Sequence, residues 1–226
     1  ASGIIMATSR KKNENFIQFS KGMSQHYKTE DPIPFHTRES MPLYWSRRNV
    51  QKAEEKALSF AHSFLGVRIQ CAQCHKHPFD QWTQQDFKKF QAFFEPIQFK
   101  ANTTKGDKSD GALNYQNLMQ EIEASIGYNK KKPSGNRDKR NEIQRLAKLG
   151  SPVPWKELYI SAPKSKSRKS NGKRRKKPVS RVITPSVLGG DDVHLTEYKD
   201  PRQPLMDWLR SEENPYFAQA FVNRVW

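Results

Sequence analysis

The chain has 226 residues, with 40 Lys and Arg against 23 Asp and Glu and a formal net charge of +17. Only 35% of the residues are hydrophobic. No run approaches the roughly 18 consecutive apolar residues of a transmembrane helix, so integral-membrane, collagen-like and coiled-coil classes are excluded. Cys71 and Cys74 are the only cysteines, too few for a disulfide-built secreted scaffold.

Residues 1–45 read as an irregular N-terminal arm, because Asp31-Pro32-Ile33-Pro34 and Met41-Pro42 break regular structure. A helix is expected from near Asn49, where Val50, Ala53, Ala57, Phe60, Ala61 and Phe64 recur at three- and four-residue steps. Glu54 and Glu55 suit its positive end, and Gly66 suits its C-terminal cap. Thr83 with Asp86 three residues on is a capping-box pattern, and Phe87, Phe90 and Phe94 then share one helical face. Residues 46–96 therefore form one small helical domain.

Residues 97–181 read as a polar, basic insert with two short amphipathic helices, one through Leu118, Ile122 and Ile126, the other through Ile143, Leu146 and Ala147 up to Gly150. Val182-Ile183-Thr184 suits a short strand. From 182 to 226 a second helical domain begins, with a helix over Pro201–Arg210 and another opened by Asn214 as N-cap and Pro215 as its first residue. That last helix is unfinished at Trp226, and the first residue is Ala1, so the sequence reads as a piece of a longer protein. The expected fold class is mainly α, with long irregular connections.

The charge is concentrated. Residues 164–178 hold nine Lys and Arg and no acid. A run of this kind cannot bury apolar surface, and it is expected to be a disordered basic insert. It suits contact with an anionic polymer, such as a polysaccharide, through Lys164–Lys177. It carries no aromatic side chain on which bases could stack, and no docking helix flanks it, so nucleic acid is not the expected partner.

One motif carries chemistry. Cys71-x-x-Cys74-His75 has the spacing of c-type haem attachment: two thiols on one turn reach the two vinyl groups, and the adjacent imidazole faces the iron. Phe79, Trp82, Phe87, Phe90, Phe93 and Phe94 place large apolar side chains directly after it, as a wall for the group or as plain core. His77 and His62 are second candidates for the metal, and His26, His36, Met23 and Met41 lie in an arm able to fold over the site. Other readings of the same residues stay open. Cys71 and Cys74 could be a redox pair or a buried structural pair, or they could bind zinc together with His75 and His77.

Trp45-Ser46-Arg47-Arg48-Asn49, Phe64-Leu65-Gly66, Cys71 to Asp80 and Trp82 to Phe87 together resemble a planctomycete cytochrome-related domain family of unknown function. The stretch 205–226, with its Asp207-Trp208-Leu209, Asn214-Pro215 and Asn223-Arg224, is similar to the start of the partner domain that follows in the same polypeptides. The resemblance implies a helical, cytochrome-like domain of an exported, extracytoplasmic protein. The resemblance carries no activity; the motif itself leads to the expectation of covalent haem c on Cys71, Cys74 and His75, and of electron transfer or a haem-linked redox step with a redox partner the sequence does not identify. The competing function is a non-redox interaction or scaffold module with a structural Cys/His or zinc site and a polyanion-binding insert. No catalytic acid, base or nucleophile stands out; Asp80 and Asp86 read as turn and cap residues.

Overall fold

The computed structural model describes residues 1–76, 81–103, 107–129, 131–132, 134–161 and 183–225. Its elements in chain order are α1 (Ser2–Ile5), α2 (Phe16–Gln25), α3 (Leu43–Ser46), α4 (Ala53–Phe60), α5 (Gln84–Ala92), β1 (Ile97–Lys100), α6 (Asp110–Ser125), α7 (Gly135–Lys148), β2 (Glu157–Ile160), α8 (Arg202–Arg210) and α9 (Pro215–Val225). The architecture is mainly α. Among the described residues the sheet consists of β1 paired with β2. Two compact units form, each assembled from separated stretches: residues 1–6, 44–98 and 160–226 in the first, 7–43 and 99–159 in the second.

In the first unit α4 starts four residues later than expected. The Glu55 carboxylate accepts from the amides of both Gln51 and Lys52, each at 3.0 Å, so those residues cap the helix instead of joining it. These bonds hold the Glu55 carboxyl below the usual carboxylate range. Beyond Phe60 the helix widens into a π turn, Ala61–Leu65, and ends at Gly66 in the left-handed region with φ 68°. The expected apolar stripe packs as one aromatic cluster. Phe60 lies 6.1 Å from Phe90 and 5.5 Å from Phe94, the Trp45 ring lies tilted 6.2 Å from Phe94, and Phe64 lies 5.0 Å from Phe60. The Trp45 indole N–H is satisfied by the Ile5 carbonyl at 2.8 Å. α9 closes on the end of the π turn, where a β-carbon on Gly66 would meet that of Ala220 at 3.2 Å. Asn214 caps α9 as expected, its side-chain oxygen accepting from the Tyr216 amide at 2.9 Å. Ile183 and Thr184 do not form the expected strand, and Val182 lies outside the described residues; the local pairing is an isolated bridge between Ser186 and Asp192.

The second unit corrects the reading of the arm. Residues 16–25 are a helix, because Asn15 and Gln18 make a reciprocal capping box at 2.9 Å in each direction, and Pro32, Pro34 and Pro42 act only after α2 has ended. Its face Phe16, Phe19 and Met23 packs on Tyr115 and Leu118 of α6. Arg10 ties this unit together by bonding Glu157 at 2.6 and 2.8 Å and Asp110 at 2.5 Å. The expected helices of the insert are α6 and α7, and α7 ends at Gly150 with φ 73°.

Candidate cysteine–histidine site

After Gly66 the chain enters a 3-10 turn, Gln70–Gln73. Ile69 and Ala72, three residues apart, are both buried and anchor the turn from below. The same three-residue spacing carries Cys71 and Cys74 to the outside, where both thiols are free and exposed. The turn is closed by the Ala72 amide on the Ile69 carbonyl at 3.1 Å, and by the Cys74 and His75 amides on the Cys71 carbonyl at 3.3 Å each.

His75 is exposed, and its Nδ1 lies 2.6 Å from the carbonyl oxygen of Lys76. A carbonyl only accepts, so Nδ1 carries the proton. In the neutral ring Nε2 then presents a lone pair, and it makes no hydrogen bond among the described residues. Among the described residues no three His, Cys, Asp or Glu side chains converge as a single metal ion would require.

α5 supports the turn from its N-terminus. Thr83 and Asp86 form the expected capping box, with the Thr83 amide on Asp86 Oδ2 at 2.8 Å and the Asp86 amide on Thr83 Oγ1 at 3.2 Å. Gln84, the first residue of the helix, donates its side-chain amide to the Gln73 carbonyl at 3.0 Å and reaches the Cys74 carbonyl at 3.4 Å. No sequence pattern singled out Gln84; its position one residue after a capping residue was the available signal. Trp82 is buried, and its Nε1–H has no acceptor among the described residues. Its ring lies 5.9 Å from that of Tyr216 and passes over Gly189.

The other predicted site residues are placed as follows. Phe87 and Phe90 are buried on the inner face of α5, with Phe90 wholly enclosed and 5.3 Å from Phe94, so these rings back the turn as core instead of offering a free wall. His62 is exposed on the π turn. Phe79, His77 and Asp80 lie outside the described residues. Of the arm residues considered as a cover, His36 is exposed, and the other three are engaged within the second unit. Met23 is buried in its core with Met41 packed against that cluster, and His26 bonds the Ile33 carbonyl at 2.8 Å with its ring against Phe35.

Residues 14–99 match a family described as "PSCyt2: Protein of unknown function (DUF1549)". This span, under half of the chain, takes in α2, the aromatic cluster and the whole cysteine–histidine turn. No curated protein and no solved structure matches the chain.

Proposed function

We propose that Cys71 and Cys74 would hold a c-type haem through two thioether bonds, that His75 would ligate its iron, and that the protein works in electron transfer or a haem-linked redox step. The observation that carries this reading is the state of His75. Its Nδ1–H is spent on a backbone carbonyl, and in the neutral ring Nε2 has a lone pair with no hydrogen bond among the described residues, which is how an imidazole is prepared for a metal. Both thiols are exposed on the same turn as the imidazole, open to attachment at two separate atoms of a macrocycle. The Trp82 N–H, without an acceptor among the described residues, suits a group that brings carboxylates with it. When bound, the group supplies one-electron chemistry at iron. Attachment of this type is made outside the cytoplasm, so the reading implies an exported protein. The cationic run Lys164–Lys177, which lies outside the described residues, is read as a contact for anionic polysaccharide or a similar polyanion.

The test is expression in a host that matures cytochromes c, followed by denaturing electrophoresis with a haem stain and by intact mass. The wild type should retain haem through denaturation, Cys71→Ser with Cys74→Ser should lose it, and His75→Ala should keep attachment with an altered Soret band. A mature wild type with no haem-sized mass increment overturns the proposal and leaves a structural or zinc-binding turn in a non-redox interaction module.

A further inference from the structure

The carbonyls at the end of a short 3-10 turn have no partner within the turn and must find one outside it. At Gln73 and Cys74 the partner is the side chain of Gln84. Everything else bonded to the backbone of 73–75 among the described residues is local. The amides of Cys74 and His75 return to Cys71, and the His75 ring bonds only the next residue. Gln84 is thus the one hydrogen-bonded tether among the described residues between this backbone and a distant element. Its own position is rigid by comparison, because the Thr83–Asp86 box fixes the helix start around it and Phe87 and Phe90 bury the face that follows.

We infer that Gln84 is a positioning residue that sets the direction in which His75 presents Nε2 relative to the two thiols. The inference rests on the haem reading for its purpose, although not for its geometry. Without the side-chain amide, the Gln73 and Cys74 carbonyls turn to water, and among the described residues the backbone of 74–75 is held only by the two 3.3 Å bonds to the Cys71 carbonyl.

The experiment compares wild type, Gln84→Ala and Gln84→Lys, the last keeping a donor of similar reach. In the unloaded proteins, backbone 15N relaxation at Cys74 and His75 should give order parameters near 0.85 in wild type and below about 0.6 in Gln84→Ala, with recovery in Gln84→Lys and no change at 85–92. In haem-loaded protein, the ratio of iron ligated by His75 to iron not so ligated, read by magnetic circular dichroism, should fall about fivefold in Gln84→Ala, the equilibrium factor of one net hydrogen bond, and return in Gln84→Lys. If wild type takes up no haem, the haem reading fails while the relaxation data still decide the role of Gln84. Order parameters in Gln84→Ala equal to wild type overturn the inference, as does an unchanged ligated fraction.

Discussion

At position 111 a familiar rule about helices reverses. Replacing glycine by alanine within a helix normally stabilises by up to about 1 kcal/mol. Gly111 is the second residue of α6, and a β-carbon there would intrude on Glu157 Oε1 and stand 2.5 Å from Arg10 Nη2. The Glu157 side chain is 4% exposed and Arg10 23% exposed, so the pair has little room to move aside. Separating a buried carboxylate from its cation costs about 3–5 kcal/mol. Gly111→Ala should therefore lower stability by roughly 2–4 kcal/mol, the difference between the two effects. Thermal melting decides the sign, and a raised Tm refutes the argument. In an Arg10→Met background, where the bridge is already gone, the same substitution should lose much less. No sequence pattern shows this coupling, because Arg10 and Glu157 lie far apart along the chain and meet only in the folded second unit.

At the scale of elements, the packing of α4 on α5 was readable because both segments repeat apolar residues at three- and four-residue steps, and that face closes as Phe60, Phe64, Phe90 and Phe94. Caps were equally readable where a side chain has only one plausible partner, as at Thr83 and Asn214, or where a glycine takes the left-handed backbone that ends a helix, as at Gly66. α2 carried an equivalent signal in Asn15 and Gln18, followed by Phe16, Phe19 and Met23 on one face, yet three downstream prolines drew the whole arm into an irregular reading. β1 and β2 are four residues each, too short for alternation to show, and they form because each supplies the other's partners. The readable helix pair yields a sharp test. Phe90 is fully enclosed, with Phe60 and Phe94 against its ring. Phe90→Ala should cost about 3–5 kcal/mol. Urea unfolding should show the midpoint falling by that equivalent, and an unchanged midpoint would mean that the cluster contributes little to the first unit.

For the whole molecule, the chain order hides how residues are grouped, since the first unit draws on residues 1–6, 44–98 and 160–226. The cysteine–histidine motif was legible because its chemistry is local, five residues on one turn. Its support was not, because Gln84 acts across eleven residues and Trp82 is buried by Tyr216 and Gly189, contacts that exist only after folding. The same grouping bears on the basic run. The described chain on its N-terminal side is fastened where Ser161 donates to the Pro96 carbonyl at 2.8 Å. On its C-terminal side Asp192 pairs with Lys89 at 2.7 Å and the Ser186 amide bonds the Lys89 carbonyl at 3.3 Å. Both fastenings belong to the first unit and lie outside residues 164–178, and the run itself has no large apolar side chain to bury. Deleting 164–178 should therefore leave the melting temperature and any haem spectrum unchanged. It should abolish retention on a heparin-type column at low salt, because nine cations leave with it. Retention of the intact protein should weaken steeply between 0.1 M and 1 M salt, over which the Debye length shrinks from about 10 Å to about 3 Å. A collapse of the melting temperature on deletion would make the run structural. Retention that survives it would move the polyanion contact to the exposed cations Lys131, Lys132, Arg137 and Arg140, which charge reversal at those four positions would then abolish.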